Sequence, residues 1–546
     1  MARPSIHFGV VYFSIAALVY LRPEYRVLDS PVLTFIGLSI IATALRIIYD
    51  LSLYPQFFTP LKQLPTPPTR TWLRGNTKSI FLETPLDEMA DWIRNVHNDG
   101  LIRYYMVGNL ERVLLTSPKA LSEVLVHKAY DFCKPELVQL QLRRVTGNGL
   151  LLAEGDEHKL QRKNLMPAFS YRHVKDLYPV FWAKSAEMAN LIEQDVKSRN
   201  NPEDNVVQIG NWASRATLDI VGLAGMDHDF ESLQDPDNEL NRQYRRFFDD
   251  DPKMTRIIVL LGLFAVDLKI LQKLPVRRNK IAQETSGFLR SVARQIIHEK
   301  REKIESKTEN NGVDIISVAL QSGTFTEENL VDQMMTFLTA GHETTSTAMQ
   351  WAIYALCKHP DIQSRLREEI RTSLPSISSA SLAPLSAATL DSLPYLNAVC
   401  NEVIRFYPSV PATVRIASRD TTITGVPIPK DTFFMISPHI INRQEEFWGP
   451  EAATFNPERW IDPNTGRTNK TGGTSNNYAL LSFLHGPRSC IGQGFAKVEL
   501  ACLVATMVGK FEMELRDPNA KLEIRKGATV HPRDGVMARL TPLEGW

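Results

Sequence analysis

The sequence predicts a mainly α protein with a small β region, preceded by an N-terminal membrane anchor. Three observations carry this. Residues 326–358 keep one helical pattern from a good N-terminal signal at Thr326-Glu327-Glu328 to Lys358, with Pro360 to end it. Residues 101–116 alternate around Val107-Gly108-Asn109, which reads as a β-hairpin, and helical stretches dominate afterwards. Residues 6–21 and 32–48 are apolar runs, each near the short limit for crossing a bilayer. The length of 546 residues sets two or more domains as the default. With 62 basic and 61 acidic residues, nothing points to nucleic acid as a partner. Five scattered cysteines give neither a zinc pattern nor a disulfide framework, which suits a reducing compartment.

Residues 1–50 form the expected anchor. Arg3 ahead of the first run allows a cleaved signal peptide instead, but no small-x-small cleavage site follows and the cysteine usage argues against secretion. Arg46, Lys62, Arg70 and Arg74 beyond the second run favour a cytosolic C-terminal part. One span and a two-span hairpin both fit. Pro55, Pro60, Pro65, Pro67 and Pro68 mark residues 51–75 as a stiff connector, expected to be extended rather than helical. Residues 76–546 make the globular part. Within it the short apolar run 257–266 reads either as a buried core helix or as a patch that dips into the membrane. Asn469-Lys470-Thr471 is a glycosylation sequon, without consequence in a cytosolic domain.

Three stretches carry chemistry. In Ala340-Gly341-His342-Glu343-Thr344-Thr345 a carboxylate and two β-branched hydroxyls interrupt an otherwise apolar helix, and Gly341 costs about 1 kcal/mol against alanine. Threonine can bond back to the carbonyl four residues before it, so the helix is expected to give up regularity and open a polar groove. The plain alternative is a kink with a satisfied glutamate. Residues 483–492, Phe-Leu-His-Gly-Pro-Arg-Ser-Cys-Ile-Gly, place Cys490 after a glycine-containing loop and before a helical run, 493–511. Gly486 and Gly492 would let the backbone approach something flat, and a helix N-terminus stabilises a thiolate of the kind that ligates haem iron. Glu402 and Arg405 share one helix face, and Arg459 follows in Phe455-Asn456-Pro457-Glu458-Arg459-Trp460.

Taken together, these motifs resemble the cytochrome P-450 family in five places and in the expected order: Phe-x-x-Gly-x-Arg-x-Cys-x-Gly, Ala-Gly-x-Glu-Thr, Glu-x-x-Arg, Pro-Glu-Arg-Trp where Pro-Glu-Arg-Phe is usual, and His158-x-x-x-Arg162 where tryptophan is usual in the first place. The resemblance runs from about Pro65 to the C-terminus. It implies one large cytochrome P-450 fold holding haem b, with Cys490 as axial thiolate and Arg488, Arg415, Arg162 and His158 toward the propionates. It implies that Thr344 holds a water that delivers protons during oxygen activation and that Glu343 feeds it. Glu402, Arg405 and Arg459 would lock the loop leading to the cysteine. The implied reaction is a monooxygenation of an apolar small molecule, with electrons from a separate NADPH-cytochrome P-450 reductase and cytochrome b5 as a second donor. The implied place is the endoplasmic reticulum membrane, catalytic part in the cytosol. The chain resembles filamentous-fungal members that tailor secondary metabolites. Alternatives are an O2-independent isomerase or dehydratase, a lipid, fatty-acid or xenobiotic hydroxylase, and a non-enzymatic haem sensor or membrane scaffold. Residues 132–150, Ala340, Thr345 and 410–413 are the expected substrate contacts.

Overall fold

The computed structural model describes residues 8–26, 29–72, 74–76, 85–199, 205–248, 276–306, 314–378, 384–525 and 527–546. The apolar run 257–266 lies outside them. Two compact units emerge: Met1–Cys133 with Ala412–Ile440, and Lys134–Pro411 with Ile441–Trp546.

The first unit starts with two helices, α1 (Phe8–Leu21) and α2 (Pro31–Ile48). Ser30 caps α2 by accepting from Leu33 N at 3.4 Å, and Pro31 takes a first-turn position that needs no N–H. The connector departs from the extended form its prolines predict. The helix runs on through Tyr49–Phe58 in wider i→i+5 turns, with Pro55 inside it. A proline ring crowds the carbonyl four residues back and cannot bond to it. Widening relieves the crowding. On this stretch Leu51 O also accepts from Asn109 Nδ2 at 2.7 Å, which ties it to the turn of the hairpin. One further turn at Pro60–Gln63 follows, and Leu64 is extended.

The hairpin predicted at 101–116 pairs Leu101–Tyr105 with Glu111–Leu115 in register Leu101 to Leu115, turning at Gly108 with φ 72°. It belongs to a five-stranded sheet that continues through Phe433–Ile436 and Thr413–Ala417 to Phe132–Cys133. All five residues of the first strand are buried, so both faces are covered; Met89 and Trp92 pack against Ile102 and Tyr104.

The second unit is built around the helix Glu327–Lys358, 32 residues long. Thr326 caps it: its hydroxyl accepts from Asn329 N at 3.2 Å while Asn329 Oδ1 accepts from Thr326 N at 3.4 Å. This long helix packs on Ile209–Met226 closely enough that a Cβ at Gly341 would meet Val221 Cγ2 at 2.8 Å. The glycine that looked costly from propensity alone is what permits the contact. The helix predicted after the cysteine spans Gln493–Lys510 and passes directly into the strand Phe511–Leu515. That strand joins Met537–Pro542 and Val206–Gln208 in a three-stranded sheet. The core gathers Trp182, Met349, Leu396 and Leu503, all fully or nearly fully buried.

Candidate functional site

Cys490 sits where a tight loop delivers the chain into a helix. Gly486 takes φ 75°, a conformation only glycine adopts freely, and Cys490 N donates back to Phe483 O at 2.8 Å. Gly492 has φ −88°, so backbone conformation does not require glycine there. A Cβ at 492 would touch the Phe169 ring at 3.7 Å, an ordinary contact. Cys490 is exposed, yet protein surrounds it densely enough that burial pushes its thiol up. The sulfur therefore opens onto a recess. The Gly492 N–H and the Arg162 charge pull the other way. Both favour a thiolate, but burial outweighs them; a coordinated metal cation would deprotonate such a thiol outright.

Three of the basic residues read from the sequence, Arg162, Arg488 and His158, come together beside the cysteine loop. Arg162 Nη1 donates to Ser489 O at 2.7 Å and Nη2 to Ser489 Oγ at 3.2 Å, gripping the residue beside the cysteine. Arg488 pairs with Glu154, whose other oxygen accepts from Lys134 N at 3.0 Å. Glu154 was not anticipated; an isolated acid before a helix carries no sequence signal. His158 is buried, and burial first, then Arg488 and Arg162, lower its pKa to about 4, so it is neutral at pH 7. Arg415 belongs to the first unit. It is 3% exposed, and its Nη1 donates to Val414 O at 2.8 Å and Thr413 Oγ1 at 3.1 Å.

Behind the loop lies a fully satisfied charge cluster. Glu402 and Arg405 are both 0% exposed. Glu402 Oε1 accepts from Arg405 Nη2 at 2.7 Å, Asn456 N at 2.8 Å and Arg459 Nε at 3.2 Å. Its Oε2 accepts from Arg405 Nε at 2.8 Å and Trp460 Nε1 at 2.9 Å. Tryptophan in the last motif position thus adds a donor that phenylalanine lacks. The remaining Arg405 hydrogens reach Asn442 O at 2.7 Å, Ala452 O at 2.8 Å and Thr454 O at 2.9 Å. Asn442 carries the cluster to the cysteine loop: its amide donates to Arg405 O and Ser482 Oγ, and its oxygen accepts from Leu481 N at 2.7 Å. A lone asparagine in an apolar stretch could have hinted at this, but its partners could not.

The long helix does not break at Gly341 as its composition suggested; it stays helical throughout. Thr344 Oγ1 donates to Ala340 O at 2.8 Å, and His342 Nδ1 donates to Leu338 O at 2.8 Å. Ser409 Oγ donates to Thr344 O at 2.8 Å, while Thr217 Oγ1, whose one proton has its nearest acceptor in Ala213 O at 2.8 Å, lies 3.1 Å from His342 O. Glu343 Oε1 accepts from Thr529 Oγ1 at 2.9 Å. Ala340, Gly341, Glu343 and Thr344 are partly accessible within a helix that is otherwise largely buried on either side. Thr345, read as a substrate contact, is instead 3% exposed. Its hydroxyl favours the charged form of Glu499, a fully buried acid on the cysteine helix that burial pushes well above the usual carboxylate range.

These features fit haem. An exposed cysteine stands on a loop gripped by Arg162, guanidinium groups flank it, and Phe169, whose ring lies near Gly492, packs on Phe337 of the long helix with ring centroids 5.6 Å apart. The donor set is one soft thiol with cations suited to carboxylates.

Residues 65–537 match the family model described as Cytochrome P450. The chain is 56% identical to cytochrome P450 monooxygenase sphH of Aspergillus fumigatus, over 99% of each chain. It is 42% identical to cytochrome P450 monooxygenase FSL4 of Gibberella zeae, over 90% of this chain and 91% of that one. To cytochrome P450 monooxygenase FUM15 of Gibberella moniliformis it is 41% identical, over 91% of each. The chain belongs to the cytochrome P450 family, whose members bind haem through a cysteine thiolate.

Proposed function

We propose that this protein is a haem-thiolate monooxygenase of fungal secondary metabolism. It takes electrons from NADPH-cytochrome P450 reductase, with cytochrome b5 as a second donor, and oxidises an apolar small molecule at the endoplasmic reticulum, catalytic part facing the cytosol. The observation that carries the reading is the accessible Cys490 sulfur on its pinned loop, in the same unit as a long helix whose accessible stretch bears Glu343 and Thr344. Haem bound there supplies the redox centre at which dioxygen is activated and one oxygen atom is inserted.

The protein supplies the rest. Cys490 would hold the haem iron through its thiolate, and Arg162 fixes the adjacent backbone through Ser489. Arg488 and Arg162 would be the cations for the propionates, and neutral His158 would add a hydrogen-bond donor. Thr344 has committed its proton to Ala340 O, so its lone pairs are left to accept from a water and hold it in place. Glu343, oriented by Thr529, hands protons to that water from solvent. General acid delivery of this kind contributes typically about 10²–10⁴-fold in rate.

The test has two parts. Metabolite profiling of a strain lacking the protein should reveal an accumulated intermediate, and microsomes holding the protein should convert it only with NADPH. Cys490→Ala should abolish both that turnover and the thiolate-type spectrum of the reduced carbon monoxide complex. A thiolate spectrum retained in that variant would overturn the assignment of the ligand.

A further inference from the structure

Sequence leaves open whether the N-terminal segment crosses a membrane once or twice. Among the described residues one helical stretch, Pro31–Phe58, is long and apolar enough to span, and α1 alone is shorter. The way α1 and α2 pack resolves the choice. They run side by side, linked by a hydrogen bond between Tyr12 OH and Thr43 Oγ1 at 3.0 Å. Thr43 spends its own proton on Ser39 O at 2.6 Å, so Tyr12 is the donor across the pair. Thr34 Oγ1 likewise bonds Ser30 O at 2.9 Å. Tyr12, Thr34 and Thr43 thus place their hydroxyl hydrogens without water, as a hydrocarbon surrounding favours, whereas Ser39 Oγ on α2 is buried without a partner among the described residues. Val19 and Thr34 are buried in the seam, whereas Phe13 is 76% and Ile40 63% exposed, so the outer surface of the pair is apolar on both helices.

The ends of the pair are polar and aromatic. The connecting tip holds Arg22, Glu24, Tyr25, Arg26 and Asp29, and Arg26 Nε caps α1 by donating to Val19 O at 3.1 Å. At the far end Arg46 pairs with Asp50 at 2.7 Å, with Tyr49 and Tyr54 beside it in the chain. From Pro31 to Ile48 is 18 residues, about 27 Å of helix, which suits a hydrocarbon core of roughly 27–30 Å. Charge placement points the same way. A paired crossing collects Arg3, Arg46, Lys62, Arg70 and Arg74 on one side, against Arg22 and Arg26 on the other. A single crossing by α2 would move Arg3 to the side of Arg22 and Arg26, against the bias of Lys and Arg toward the cytosol.

We infer that α1 and α2 cross the bilayer together as a hairpin, with the N-terminus on the same side as the catalytic part and the tip, residues 22–30, on the opposite side. This rests on the membrane anchoring proposed above and decides its topology.

The experiment uses the full chain in sealed microsomes, with an epitope tag ahead of Met1 and an acceptor segment carrying one glycosylation sequon inserted between Tyr25 and Arg26. Thr471→Ala removes the natural sequon while leaving Asn469, whose Nδ2 donates to Arg459 O at 2.8 Å. The hairpin requires two results together: external protease removes the N-terminal tag, and the tip segment is glycosylated. A protected tag with a glycosylated tip means a single crossing by α2, and a protected tag with a bare tip means a single crossing by α1. A digested tag with a bare tip means that neither crosses. Each of these three overturns the hairpin. Alkaline carbonate extraction separates this failure from that of the anchor itself, since a protein released into the supernatant was never integral. Because the insertion could disturb the tip, Glu24→Cys without it serves as the second measure. A membrane-impermeant maleimide should label that cysteine, above the unsubstituted background, only after permeabilisation; labelling of intact microsomes overturns the hairpin as well.

Discussion

Glu402→Gln separates a buried charge cluster from a merely crowded one. The carboxylate accepts five hydrogen bonds, three on Oε1 and two on Oε2. Glutamine has one acceptor oxygen and one NH2 group. With the oxygen turned to the three-donor side, the NH2 meets Arg405 Nε and Trp460 Nε1 head on, donor against donor. The Arg405 charge then lies at 0% exposure with no counter-charge at its former distance of 2.7 Å. Breaking a buried pair in this way costs about 3–5 kcal/mol, roughly two to three and a half powers of ten in the folded ratio. Arg459 is more peripheral: its side chain is 8% exposed and its bonds are longer, at 3.2, 3.0 and 3.4 Å. Arg459→Ala should cost roughly 1–2 kcal/mol. Trp460→Phe, which removes one bond to a charged acceptor and keeps the ring packing, should cost about 1.5–3 kcal/mol. The assay follows haem absorbance of the detergent-solubilised protein through a guanidinium titration and ranks the midpoints. Glu402→Gln should fall furthest, then Trp460→Phe, then Arg459→Ala. Equal midpoints for Glu402→Gln and Arg459→Ala would refute the claim that the Glu402–Arg405 pair is the centre of the cluster.

Thr344→Ala should leave haem content unchanged and send more of the NADPH consumed to hydrogen peroxide, with productive rate down about 10²-fold. Thr529→Val should shift the same partition in the same direction, and Thr529→Ser should restore it, read from NADPH, peroxide and product in one reconstituted assay. Glu499→Gln should flatten the alkaline side of the stability profile: a carboxyl with its folded pKa raised contributes stability that is complete below about 4.5 and is lost as pH rises toward the raised value, which urea midpoints at pH 6 and 8 will reveal. A chain beginning at Leu51 should keep its full haem content, because the Leu51 carbonyl that Asn109 needs is retained; loss of haem would place the first fifty residues in the core.

Most elements were legible because each carried a local reason. Thr326 and Pro360 bracket the long helix, Gly108 turns the hairpin, and Glu402 and Arg405 are one helical turn apart. The connector departs from expectation for a physical reason. Proline penalises a regular α-helix, but it does not forbid a widened turn, here held from outside by Asn109 on Leu51 O. Cost estimates at Gly341 went astray likewise, since propensity knows nothing of Val221. In the site, residues separated by three or four positions were readable and long-range partners were not. Glu154 beside Arg488, Asn442 behind the cysteine loop and Thr529 on Glu343 are separated from their partners by 334, 37 and 186 positions. Only the fold brings them together.

The long helix stays regular at its polar stretch because its neighbours, rather than a break, take up the spare acceptor capacity. A carbonyl oxygen has two lone pairs. Leu338 and Ala340 receive a side-chain bond from within the helix, and Thr344 receives one from Ser409 outside it. That outside bond tethers the helix against the bending that back-bonding threonines favour. The same bonds fix which way a proton can move under the proposed reading. His342 has spent its Nδ1 proton on Leu338 O, burial disfavours its charged form, and its Nε2 lies 4.0 Å from Glu343 Oε2. It is poorly suited to carry a second proton. Thr344 has spent its proton on Ala340 O and can only accept. Glu343 is left as the one group of the three that is partly accessible and able to gain and release a proton, which makes it the entry point and Thr344 the holder of the water it feeds.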